Sequence, residues 1–115
     1  MVKKIYVPEC GDIVWLNFDP QFGHEQKGKR PAIVVSPFEY NEKAGLAIFC
    51  PITSEVKNYP FEVRIINKKI DGVVLADQIR SLDWSKRGAS FITKVTESEM
   101  EEIINKVAVL IINLD

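Results

Sequence analysis

A mainly β fold of the α+β class is what this sequence predicts: a small barrel or strongly curved sheet of about six short strands, followed by one helix. Three observations carry that prediction. Short apolar runs rich in Val, Ile and Phe recur between turn residues from Asp12 to Val95. Beyond Thr96 the apolar spacing switches to the helical period behind a capping signal. At 115 residues the chain reads as a single domain, 1–115, large enough to bury a core without disulfides or a structural metal.

Each element has its own signal. Asp12–Phe18 is β-rich and starts after Gly11. Ala32-Ile33-Val34-Val35 is a β-branched run too short for a helix and bounded by Pro31 and Pro37. Phe38–Ala44 reads as a short helix ending at Gly45. Leu46–Cys50 is the third strand and is expected to stop at Pro51. Phe61-Glu62-Val63-Arg64-Ile65 alternates apolar and polar, the pattern of a half-buried strand. Val73–Ala76 follows the turn signal Asp71-Gly72, and Ala89–Val95 closes the series. In Thr96-Glu97-Ser98-Glu99 the threonine hydroxyl is placed to cap the amide of Glu99, whose carboxylate reaches back. Met100, Ile103, Ile104, Val107 and Ile111 then recur at helical spacing. From Val107 to Ile112 every residue is apolar, which exceeds one buried stripe. Either this end becomes a central strand, or the helix is covered on two sides, by the core or by a second copy of the chain.

Composition narrows the function classes. No run approaches the roughly 18 apolar residues of a membrane span, and the N-terminal Met1–Tyr6 has no long apolar stretch. A cytoplasmic protein without membrane contact is expected. Two cysteines, Cys10 and Cys50, and one histidine offer no metal-site spacing, so neither metal nor cofactor is expected. The net charge of −1 hides an asymmetry: residues 1–96 carry 14 basic against 11 acidic side chains, and residues 97–115 one against five. A mildly basic body can carry a positive groove.

The candidate chemistry centres on Gly23-His24-Glu25-Gln26-Lys27-Gly28-Lys29-Arg30-Pro31. Its glycines and polar residues say loop, between two strands. Arg30, held at the start of a strand, suits a two-pronged grip on phosphate or an ordinary surface ion pair. Glu25 can take a proton from a ribose 2′-hydroxyl or simply solvate the loop. His24 is the one side chain there that ordinarily titrates near neutrality. Thr53, after Pro51-Ile52, can bond a phosphate oxygen or cap a turn. Asp77 and Gln78, with Arg80 two residues on, suit reading a base edge or an ordinary polar strand exit. Trp15 and Trp84 read as core or interface residues.

Taken together these stretches resemble the MazF/PemK toxins, mRNA interferases of type II toxin–antitoxin modules, and the chromosomal MazF branch most. The resemblance is carried by Gly11–Pro20, Gly23–Gln26, Gly28, Arg30-Pro31-Ala32, Val35-Ser36-Pro37, Pro51-Ile52-Thr53, Tyr59-Pro60-Phe61, Asp71–Gln78, Ile79–Trp84 and Arg87-Gly88, in order from about Tyr6 to Ile112. It implies an SH3-like barrel with a C-terminal helix, the CcdB/PemK-like plasmid-maintenance toxin fold, working as a homodimer. It implies a metal-independent, sequence-specific endoribonuclease that cleaves single-stranded mRNA and so inhibits translation. A cognate antitoxin with an acidic disordered tail would neutralise it, and operator DNA would be bound only together with that antitoxin. Arg30 and Thr53 fall on the family's catalytic arginine and threonine, and Glu25 on its loop carboxylate. His24 and Asp77 match residues proposed as catalytic in the PemK/Kid branch. That branch has an arginine two positions before the aspartate, where this chain has Leu75, so a mechanism using that arginine as acid does not transfer.

The expected reaction is attack by the substrate's own 2′-hydroxyl, leaving a 2′,3′-cyclic phosphate and a 5′-hydroxyl. It needs a base, Glu25 or His24, charge stabilisation at phosphorus by Arg30, and a grip on a non-bridging oxygen by Thr53. Gln26, Lys29, Lys57, Asp77, Gln78 and Arg80 are the candidates for RNA contact, with sequence read from unpaired bases. A different class stays open: CcdB-like toxins share the fold and poison DNA gyrase by binding alone. They resemble one another through an aromatic residue near the C-terminus, and Leu110–Asp115 contains none.

Overall fold

The computed structural model describes residues 5–18 and 28–112. Its elements run β1 (Asp12–Asn17), β2 (Lys29–Val34), α1 (Phe38–Ala44), β3 (Ala47–Thr53), β4 (Glu62–Ile66), β5 (Asp71–Leu75), β6 (Arg80–Leu82), β7 (Ser90–Lys94) and α2 (Glu97–Ile111). All pairings are antiparallel, in the order β4-β5-β3-β2-β1-β7. The six expected strands and both helices are present.

Beyond end shifts of a residue or so, β2 starts at Lys29 and runs through Pro31 instead of starting at Ala32, because β1 pairs with it through Trp15↔Pro31, Leu16↔Arg30 and Asn17↔Lys29. Three further features differ from the sequence expectation, each for a tertiary reason. First, β3 runs through Pro51 to Thr53 instead of stopping at the proline. Pro51 falls between the β6 pairing, which ends at Phe49↔Arg80, and the β5 pairing, which begins at Ile52↔Val74. A missing N–H costs little in such a gap. Second, Asp71-Gly72 is not a turn but the start of β5, paired with Ile66 and Ile65. A β-carbon on Gly72 would lie 2.5 Å from the Thr53 carbonyl oxygen, so only glycine lets the two backbones approach. Third, Arg80–Leu82 adds a seventh strand, too short and polar to show in the sequence, that exists by pairing with the start of β3.

The central strands are apolar on both faces, which is why they read as continuous runs. Ile13, Ile33, Cys50 and Ile52 face one core with Val63, Ile65, Val74, Ile103 and Val107. Val14, Leu16, Ala32, Val34 and Phe49 face a second with Ala47, Leu82 and Trp84. Trp84 is buried and donates its indole N–H to the Asn41 carbonyl (2.9 Å), which ties α1 to the second core. Trp15, in contrast, is 42% exposed.

The capping box forms as expected. The Thr96 hydroxyl accepts from the Glu99 amide (3.1 Å), and the Thr96 amide donates to the Glu99 carboxylate (3.0 Å). Ile103 and Val107 bury α2 against the first core, each contributing about 1.5–3 kcal/mol. The apolar end stays helical to Ile111 and does not become a strand. This chain covers it on one side only: Ile104, Val109, Leu110, Ile111 and Ile112 are exposed. No described helix is long and apolar enough to cross a membrane.

Candidate functional site

Two adjoining clefts share Thr53 as a common wall. The smaller, of about 360 Å³, is lined by Lys29, Arg30, Pro31, Ile52, Thr53, Ser54, Lys69, Ile70 and Asp71. The larger, of about 520 Å³, is lined by Thr53, Glu55, Lys57, Asn58, Tyr59, Pro60, Glu62, Leu75, Asp77 and Gln78.

Strand register brings Arg30 to Thr53. β2 and β3 pair through Val34↔Phe49, Ile33↔Cys50 and Ala32↔Pro51. Carried two residues on, that register sets Arg30 opposite Thr53. β1 holds Arg30 from its other side through Leu16↔Arg30. The Thr53 hydroxyl accepts from the Glu55 amide (3.2 Å), so it does cap a turn, and its own proton remains to be donated outward. The capping and phosphate roles weighed for this threonine are therefore compatible.

The smaller cleft is cationic. Among the described residues, Lys29, Arg30 and Lys69 face a single acid, Asp71, whose carboxylate is already paired with Arg64 at 2.8 Å. Arg30 is exposed, with no ion-pair or hydrogen-bond partner among the described residues. A guanidinium without a protein partner is available to an anion. Lys29 reaches the Gly88 carbonyl (3.5 Å), and Lys69 the Ile92 carbonyl (3.4 Å).

The larger cleft has a different character. Among the described residues Lys57 is its one cation, against Glu55, Glu62 and Asp77. The Glu62 carboxylate accepts from the amides of Lys57 (3.0 Å) and Asn58 (3.1 Å), and the Tyr59 hydroxyl donates to Asp77 (2.8 Å). The bond to Asp77 and that carboxylate's charge push the Tyr59 phenol up. Burial, and then the charge of Asp77, push the Cys50 thiol up to about 12. Asn58, Gln78 and the half-exposed Tyr59 ring offer amides and an aromatic face, which suit a base better than a phosphate.

The remaining candidates divide. Arg80 lines neither cleft and instead sits 5.7 Å over the Phe18 ring. His24, Glu25 and Gln26 lie outside the described residues. The stem from which their segment departs is firmly built: Phe18 N–H donates to Gly28 O (3.1 Å), and Arg87 donates to the carbonyls of Asn17 and Phe18. Sequence reasoning did not single out Lys69 or Tyr59 as site residues. Tyr59 stood in the family pattern, but Lys69 had no signal beyond its charge.

Residues 9–111 match the model of the PemK-like, MazF-like toxin of type II toxin–antitoxin systems, and the chain belongs to that family. The endoribonuclease toxin MazF of Escherichia coli K12 is 48% identical over 111 residues, 96% of this chain and 99% of that protein. Among solved structures, MazF of Deinococcus radiodurans superposes with a TM-score of 0.83 at 48% identity, covering 92% of this chain and 97% of that one. A MazE–MazF complex from the same organism gives 0.82 at 43% identity, covering 92% and 96%.

Proposed function

We propose that this protein is the endoribonuclease toxin of a type II module: it cleaves single-stranded mRNA, inhibits translation, and is neutralised by a cognate antitoxin. The observation that carries the proposal is the meeting of Arg30 and Thr53 in one cleft whose described lining is cationic, its one described acid, Asp71, being already paired. Relatives named as endoribonucleases, matched over nearly their full length, support the same activity.

The nucleophile is the ribose 2′-hydroxyl next to the scissile phosphate. Glu25 or His24 removes its proton, and the oxygen attacks phosphorus in line. Arg30 meets the charge that builds on the equatorial oxygens, and Thr53 donates its hydroxyl proton to one of them. The P–O5′ bond breaks, the leaving oxygen takes a proton from water, to which the base later returns the one it removed, and a 2′,3′-cyclic phosphate and a 5′-hydroxyl result. A flanking unpaired base occupies the larger cleft against Tyr59, Asn58 and Gln78, which is where sequence preference originates. Two copies pair through the exposed end of α2, giving a groove long enough for several nucleotides. An acidic antitoxin tail competes for the same cations and becomes ordered as it binds.

The test is single-turnover cleavage of a labelled RNA. Arg30→Ala should slow the chemical step by roughly 100- to 1,000-fold while the fold survives, since one oxyanion donor is worth about that much. Thr53→Ala should fall in the same direction by less. An Arg30→Ala protein that cuts at the wild-type rate contradicts the assignment.

A further inference from the structure

We propose that Asp77 is a positioning residue: through the Tyr59 hydroxyl it holds the β3–β4 loop, residues 54–61, as one wall of the larger cleft, and so places Lys57 for RNA. The inference rests on the RNA-cleaving function and assigns Asp77 a task within it other than proton transfer.

Four observations converge on it. The loop is tied at both ends by side chains. Thr53 accepts from the Glu55 amide, Glu62 gathers the amides of Lys57 and Asn58, and Lys106 on α2 donates to the Pro60 carbonyl. At its centre Asn58 takes a left-handed conformation (φ 58°), a sharp turn in the loop. Between these anchors, the side-chain bond that crosses to the far wall is Tyr59 to Asp77, at 2.8 Å and 18 residues apart. The Tyr59 ring is 46% exposed, so burial does not hold it there.

The same geometry argues against Asp77 as an acid or base. Asp77 does not line the cleft that holds Arg30, and one of its oxygens is occupied by the phenol. That phenol is pushed up by the carboxylate it bonds, so at neutral pH it stays a proton donor to Asp77.

Substitutions separate the two roles. Asp77→Asn keeps an oxygen that accepts the Tyr59 hydroxyl, Asp77→Ala removes the acceptor, and Tyr59→Phe removes the donor. A positioning pair predicts Asp77→Ala and Tyr59→Phe each raising KM by about three- to tenfold with kcat nearly unchanged, the scale of one net hydrogen bond. Asp77→Asn should recover most of the affinity that Asp77→Ala loses, and the Asp77→Ala/Tyr59→Phe double variant should be no worse than either single one. An Asp77→Asn protein that loses turnover on the order of 100-fold or more, as removal of a general acid or base does, overturns the proposal. So does a double variant whose losses multiply.

Amide hydrogen exchange at Lys57 and Asn58 reads the latch without RNA. It should quicken in Asp77→Ala and Tyr59→Phe but not in Asp77→Asn. If the wild-type protein cuts no RNA and this exchange pattern still appears, the catalytic reading fails and the latch stands. Unchanged exchange in all three variants removes the latch, whatever the RNA assay shows.

Discussion

Gly72→Ala tests whether the sheet itself places Thr53, the threonine proposed to grip the phosphate. A β-carbon there would lie 2.5 Å from the Thr53 carbonyl oxygen, 3.2 Å from the Thr53 carbonyl carbon and 3.3 Å from the Ile52 side chain. The neighbouring atoms are backbone, and the ladder pairs Thr53↔Val73 and Ile52↔Val74 hold them. To reach even the 3.0 Å below which such contacts are essentially never seen, the backbones must part by about 0.5 Å. Overpacking of this kind costs typically 1–3 kcal/mol, which for a domain of this size lowers Tm by roughly 3–15 °C. The substituted domain should therefore stay folded at 25 °C, where its chemistry can be read. If a 1 Å misplacement costs about 100-fold in rate, half of that costs about tenfold. The assay pairs a thermal melt with single-turnover cleavage at 25 °C. Gly45→Ala is the control, because it forces alanine into a left-handed turn (φ 72°) with nothing within 4 Å of the new carbon. It should lower Tm and leave the rate alone. A Gly72→Ala protein that melts and cuts like wild type refutes the reasoning, as does a Gly45→Ala protein that loses the same rate.

Two further outcomes follow. Burial, and then the bond to Asp12, push the Tyr6 phenol far up; for Lys94, burial acts downward, but the bonds to Asp12 and Glu9 outweigh it and hold the ammonium above its usual range. Both folded-state values lie above the unfolded ones, so their stabilisation is complete below the ordinary range and drains as pH rises; urea midpoints should fall from about pH 9 to 11, less steeply in Tyr6→Phe, and equal slopes would contradict this. Replacing Leu110 or Ile111, both exposed, with Asp should lower the sedimentation mass from dimer to monomer at micromolar protein without lowering Tm below that of a wild-type monomer, and a wild-type protein that already sediments as a monomer removes the dimer.

What the sequence made legible was local. The capping box of α2 needs only Thr96 and Glu99, three residues apart, and it formed as read. Strands β1 to β3 announced themselves because both their faces are buried. What stayed hidden was set by distant partners. Arg80–Leu82 is a strand because β3 offers it an edge, and Gly72 is a strand residue because Thr53 passes close by. Arg30 and Thr53 were singled out by residue type and by resemblance, whereas their shared cleft is a consequence of β2–β3 register. The tie between Tyr59 and Asp77 had no sequence signal of its own, because a turn at Asn58 and a bond across 18 residues produce it.

In the proposed mechanism a ribose 2′-hydroxyl, with Arg30 and Thr53 at the phosphate, does the cutting. The most direct test is to incubate a long RNA with the pure protein in excess EDTA, map the cuts by primer extension, and determine the chemistry of the new ends. The mechanism predicts undiminished cleavage at a short recurring sequence, with 2′,3′-cyclic phosphate and 5′-hydroxyl termini, and no cut where the nucleotide 5′ to the scissile phosphate is 2′-deoxy. Cleavage that disappears in EDTA and returns with magnesium, or that leaves 5′-phosphates, would contradict it.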